Sequence, residues 1–138
     1  MPHLSVDVPE SDLAGRESAL IARLTDAVVD VYGPRAREVA VVRLNGVPAG
    51  RWGIGGIPAA SPSPAVTFGI KEAAFARPDV IAALAAGVTE AIAGVLGDHV
   101  RDGVTIDFVG TRDDRTATGG KMSAAALPAS GPDAAGGA

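Results

Sequence analysis

The chain is predicted to be an α+β domain in which two βαβ repeats form a four-stranded mixed sheet with two helices on one face. Three observations predict it. A shift of 64 positions brings Leu24-Thr25-Asp26-Ala27-Val28 onto Val88-Thr89-Glu90-Ala91-Ile92 and Arg37-Glu38 onto Arg101-Asp102 without a gap, so the chain is a duplication. The register continues through Gly46 on Gly110, Arg51 on Arg115 and Gly55-Gly56 on Gly119-Gly120. Each copy reads strand, helix, strand, glycine-rich turn, and the helix is long enough to be the right-handed crossover between two parallel strands. Finally, 138 residues that are 47% hydrophobic but only 4% aromatic suffice for one domain with a core of Val, Leu, Ile and Ala. So little bulk per residue favours burial of further apolar surface between subunits.

In chain order, Leu4, Val6 and Val8 alternate with His3, Ser5 and Asp7, the period of a half-buried strand. Pro9 to Asp12 leads into a helix from about Leu13 to Tyr32, with Leu20, Leu24, Ala27, Val28 and Val31 on one stripe and Gly33-Pro34 as its stop. A strand from Val39 to Asn45 precedes the segment Gly46 to Gly56, too glycine-rich for anything but a hairpin or loop. Repeats 2–56 and 66–120 are joined by a crossover at 57–65. In the second repeat Val66, Phe68 and Ile70 alternate as a strand, and the helix starts near Arg77-Pro78-Asp79, where proline suits the first turn and aspartate the positive end of the dipole. Gly87 and Gly94 each cost that helix about 1 kcal/mol against alanine, which points to close packing there. The last strand runs from Val104 to Val109. With two helices on one face, the other face of the sheet is expected to be apolar and covered by assembly. Residues 1–121 form the domain, and the Ala/Gly/Pro/Ser-rich stretch 122–138 is expected to be a disordered tail.

The net charge of −4 offers no basic field for nucleic acid. There is no cysteine, and the two histidines lie far apart, so no metal site is expected. No basic segment with an apolar follow-on begins the chain and no apolar run approaches membrane-spanning length, so a cytoplasmic protein with no membrane partner is expected. A cysteine nucleophile, a Gly-x-Ser-x-Gly elbow and a triad-like histidine are all missing. What remains is Pro2. The small second residue favours removal of Met1, which leaves a secondary amine at the head of the first strand. An α-amino group titrates at about 7.7–8.0, and burial beside cations disfavours its charged form, so it is a usable base near neutral pH. Such a base suits proton abstraction next to a carbonyl, with arginines holding the substrate's carboxylate.

Pro2 heading a strand, the βαβ unit and above all Gly50-Arg51-Trp52-Gly53-Ile54-Gly55-Gly56 resemble the tautomerase superfamily, whose archetype is 4-oxalocrotonate tautomerase. The duplication resembles its fused two-repeat, trimeric type. The resemblance implies a tautomerase (MIF-like) fold, a homotrimer, no cofactor, and isomerisation of a small enol or keto carboxylic acid. It makes Pro2 the catalytic base, Trp52 the aromatic residue of the pocket, and Arg43, Arg51 and Arg77 the candidates for binding the carboxylate. Where the archetype has an arginine after the first strand this chain has Asp12, and the nearest substitute, Arg16, is expected on the helix. The run Pro48-Ala49-Gly50 and the segment Leu24 to Ala27 also resemble the cis-3-chloroacrylic acid dehalogenases. However, Val28 and Thr118 stand where those enzymes carry a histidine and a glutamate, which disfavours hydration chemistry. A sister decarboxylase and a non-catalytic trimeric binding or scaffold protein stay open. Simpler roles compete for single residues: Arg51 recurs as Arg115 in the turn, Arg77 suits a helix start, and Arg43 lies opposite Asp107 in the repeat. Lys71 fits a solvated charge at a strand end and His3 a surface histidine. Trp52, matched only by Thr116, favours function.

Overall fold

The first strand's alternation sets the architecture. In the computed structural model, which describes residues 2–126, β1 (His3–Pro9) buries Leu4, Val6 and Val8 completely and turns His3, Ser5 and Asp7 to the opposite face. A short helix α1 (Glu10–Leu13) precedes α2 (Glu17–Tyr32), where one helix from about Leu13 was expected. Gly15 makes the difference: its φ of +86° reverses the chain between them, a conformation that glycine alone takes without a steric cost. Arg16 consequently precedes α2 instead of lying on it.

A 3-10 turn at Pro34–Glu38 leads to β2 (Val41–Val47), two residues later than the sequence pattern suggested. The glycine-rich segment then forms a hairpin, β3 (Gly53–Ile54) and β4 (Ile57–Pro58), about Gly55 and Gly56 at φ +65° and +87°. Two successive positive φ values are what a two-residue type I′ turn requires. Ile57 and Pro58 therefore belong to the hairpin and not to the crossover. The second repeat follows with β5 (Ala65–Lys71), a 3-10 turn at Glu72–Ala76, α3 (Pro78–Leu96), a 3-10 turn at Asp98–Gly103, and β6 (Thr105–Thr111). Its hairpin, β7 (Ala117–Thr118) and β8 (Lys121–Met122), turns on Gly119 and Gly120, again both at positive φ. Met122 and the 3-10 turn Ser123–Ala126 thus have regular structure where the tail was expected to start. Residues 127–138 of that expected tail lie outside the described residues.

The sheet order is β2-β1-β5-β6, with β1–β2 and β5–β6 parallel and the central β1–β5 pair antiparallel. Leu4 sits opposite Phe68, its own counterpart in the duplication, so the pseudo-two-fold axis runs through that pair. The Phe68 ring leans on Phe108 at 5.2 Å. Leu20, Leu24 and Val28 of α2 and Leu84, Val88 and Ile92 of α3 are fully buried in one cluster with the inner face of the sheet. The repeats share an ion pair as well: Arg37 with Asp26 at 2.8 Å, and their counterparts Arg101 with Glu90.

Two expectations are corrected. The outer face of the sheet is mixed, not apolar, because the period of two that sends Leu4, Val6 and Val8 inward sends Ser5, Asp7, Arg43, Asn45, Thr67 and Asp107 outward. In addition, α3 is 19 residues long with a mean hydropathy of 1.8, long and apolar enough by composition to cross a membrane. Its Val, Ile and Leu residues supply most of that hydropathy, interspersed with alanines and glycines, and in the fold it lies on the sheet with Leu84, Val88 and Ile92 inward.

Close packing holds at one helix glycine. A Cβ on Gly87 would come 3.4 Å from the Ala27 Cβ on α2, whereas at Gly94 the nearest atom is the mobile end of Arg23. Gly87→Val is expected to overpack the helix contact and destabilise by about 1–3 kcal/mol. Gly94→Ala should be neutral or stabilising by up to about 1 kcal/mol through helix propensity. Urea unfolding of both variants checks the contrast.

Candidate active site

The topology brings three chain segments to one corner. The crossover returns α2 to the start of β2, parallel to β1, so the C-terminal end of α2 lies by the N-terminal end of β1. The antiparallel neighbour β5 ends there too. Pro2 is at that corner, and the Val41 N–H donates a hydrogen bond to its carbonyl at 3.1 Å, which fixes it at the head of the ladder. A cleft of about 600 Å³ opens beside it, within the range of small-ligand pockets.

The cleft has a mostly apolar lining with two cations in it. Ala36, Val39, Ile70, Ala73 and Ala74 line it, while Tyr32, Arg35 and Lys71 bring its polar groups. Gly33, at φ +97°, ends α2, and the 3-10 turn after it places Arg35 on the wall of the cleft that holds Pro2. Arg35 makes no ion pair among the described residues, and Lys71 makes a loose one with Asp113 at 3.7 Å. Partial burial raises the Tyr32 phenol above its ordinary value, so it keeps its proton at neutral pH and remains a hydrogen-bond donor.

The pseudo-symmetric corner shows what the fold alone demands. There, Leu96, His99 and Asp7 are the counterparts of Tyr32, Arg35 and Lys71, and the internal Ala65-Val66 stands where Met1-Pro2 does. Pro64 is fully buried beside it, and Ser63 sits so close to Gly103 that a Cβ there would come within 2.3 Å of the serine Oγ. The hydroxyl and both cations therefore belong to the first corner and not to the repeat. That comparison was available in the sequence for Tyr32 and Arg35, which sequence reasoning missed. Lys71, the counterpart of Asp7, is placed at the Pro2 corner only by the antiparallel β1–β5 register.

Pro2 is the one expected site residue that lines this cleft within the chain. Arg43 is exposed on β2, beside Ser5 on the outer face. Arg77 precedes α3 and donates from Nε and Nη2 to the two Asp79 carboxylate oxygens at 3.2 and 3.0 Å, a pairing that raises the guanidinium and lowers the carboxyl. Its fork is thus engaged at the helix start. Arg51 is exposed, and Trp52 lines a separate small cavity with Pro9, Pro48 and Pro62. Both stand at the base of the first hairpin, whose tip exposes Ile54 (60%) and Ile57 (68%). His3 faces away from the cleft, its ring packed over Gly69. Among the described residues no three His, Asp or Glu side chains cluster in a way that could hold a metal ion.

Residues 2–60 match the family described as "Tautomerase enzyme". Among solved structures, the chain is similar to a fused 4-OT described as a wild-type asymmetric trimer, with 28% identity and a TM-score of 0.77 over 91% of this chain and 98% of that one. It is also similar to a native fused 4-OT, with 29% identity and a TM-score of 0.76 over 89% and 97%. A member of the cis-3-chloroacrylic acid dehalogenase family shares the fold at 19% identity and a TM-score of 0.68, over 96% and 88%. No curated protein sequence matches the chain.

Proposed function

We propose that this chain, a fused two-repeat member of the tautomerase superfamily, is a cofactor-free tautomerase that uses the Pro2 amine as its general base on a small enol or keto monocarboxylic acid with an apolar body. The observation that supports it best is the asymmetry between the two corners: the cleft beside Pro2 carries the phenol of Tyr32 and the cations Arg35 and Lys71, where the pseudo-symmetric corner has Leu96, His99 and Asp7.

In this reading Arg35 takes the substrate's carboxylate, since a guanidinium matches it in two parallel hydrogen bonds. Lys71 adds a second positive charge to the cleft, and the apolar lining takes the body of the substrate. Neutral Pro2 removes the hydroxyl proton of the enol and, as the ammonium, gives a proton to carbon 3. The O–H bond breaks, the C–H bond forms and the amine returns to neutral. Tyr32 donates to the oxygen that carries the developing charge. The working unit is a trimer, the assembly named in the description of the fused 4-OT structure, here taken as a closed ring of equivalent contacts and not the asymmetric arrangement described there. The hairpin with Ile54 and Ile57 exposed then docks on a neighbouring copy, and Arg51 and Trp52 act on a pocket only through that contact.

Ketonisation of phenylenolpyruvate tests this, with 2-hydroxymuconate as the dicarboxylate comparison. The expected result is turnover of both, with the larger kcat/KM for the aryl monocarboxylate. Rates no higher than those of Pro2→Ala on either compound would leave a non-catalytic trimer as the better reading. The profile of kcat/KM should rise with pH through the titration of the Pro2 amine, because the neutral form is the base. That limb should lie below about 7.7–8.0, since the apolar lining and two nearby cations disfavour the charged form.

A further inference from the structure

We propose that Arg43 on one edge of the sheet pairs with Asp107 on the opposite edge of a neighbouring copy, so that charge specifies head-to-tail closure of the ring; this rests on the trimeric reading above. The strand order leaves β2 and β6 as the two edges. Across the outer face Arg43 is level with Ser5, Ser5 with Thr67, and Thr67 with Asp107, so the two charges end a single row. Both are exposed, and neither makes an ion pair among the described residues.

The two positions are counterparts in the duplication, and there the repeats carry opposite charges. Identical copies would have put the same charge on both edges. With arginine on one and aspartate on the other, a β2–β2 contact opposes two cations and a β6–β6 contact opposes two anions. Only β2 against β6 joins unlike charges, which selects a heterologous contact over an isologous one. The neighbouring rows agree with this. β2 and β6 run antiparallel within the chain, so a second copy that continues the sheet sets Arg43 opposite Asp107, Val41 opposite Val109 and Asn45 opposite Thr105. Apolar meets apolar, with Val109 48% exposed in the single chain, and polar meets polar. Arg43 thereby has a role at the edge of the sheet and not in the cleft.

Sedimentation velocity on the full chain at micromolar concentration, at low and high salt, tests the proposal. Wild type should sediment as a trimer that weakens as salt rises. Arg43→Glu and Asp107→Arg, each checked by circular dichroism, should each raise the trimer dissociation constant at least about tenfold, and the swapped double variant should restore it. Single variants as trimeric as wild type, or a double variant no better than the singles, would overturn the pairing while the trimer stands. A wild type that is monomeric at these concentrations would overturn the trimer and the pairing together.

Discussion

Replacement of Pro2 by Ala is expected to lower kcat on phenylenolpyruvate by roughly 10²–10⁴-fold, the usual contribution of a positioned general base. The primary amine that remains is still basic but lacks the ring that, with the Val41 N–H to Pro2 carbonyl bond, holds the nitrogen at the cleft. KM should change much less, because the carboxylate is bound elsewhere. A form that keeps Met1 should be inactive to the same degree, since the proline nitrogen is then an amide without a basic lone pair. Stopped-flow or ultraviolet assays on samples of known intact mass separate the two effects. Equal kcat in wild type and Pro2→Ala would remove Pro2 from the mechanism.

Arg35→Gln is expected to reduce kcat/KM by about 10–100-fold, mostly through KM. Hydrogen bonds to charged groups contribute about 1.5–3 kcal/mol, and the guanidinium makes no ion pair in the described residues that would compete for it. Lys71→Gln should cost less, because its side chain is exposed and its ammonium is already shared with Asp113. Arg77→Gln should leave kcat/KM unchanged, as its fork is turned to Asp79. Steady-state kinetics on the three variants ranks the cations, and a larger loss at Arg77 than at Arg35 would contradict the assignment.

The duplication makes most of the fold legible in the amino-acid order itself. Alternation at Leu4, Val6 and Val8 and at Val66, Phe68 and Ile70 locates two strands, and the stripes through Leu24 and Val88 locate both helices. Boundaries shift where single backbone angles decide them: Gly15 breaks the first helix, and Gly55-Gly56 draws Ile57-Pro58 into a hairpin. Polarity of the outer face emerges only when each strand residue is assigned to a face, since Ser5, Arg43, Thr67 and Asp107 come from four different strands. Site residues are harder to read, because a pocket gathers side chains from chain segments that only the sheet register brings together. Pro2 is accessible as a chemical oddity at one chain position. Arg35 and Tyr32 sit at an inconspicuous helix end, and the family pattern points instead to Arg43, Arg51, Trp52 and Arg77, which the single chain keeps out of the cleft.

The central claim, that a neutral Pro2 amine is the base, is tested most directly by following the proline nitrogen itself. In a chain labelled with ¹⁵N-proline and freed of Met1, the Pro2 resonance should titrate at the same pH as the acid limb of kcat/KM for phenylenolpyruvate, below the ordinary α-amino range of about 7.7–8.0. Full activity at a pH where that nitrogen is wholly protonated would contradict the account.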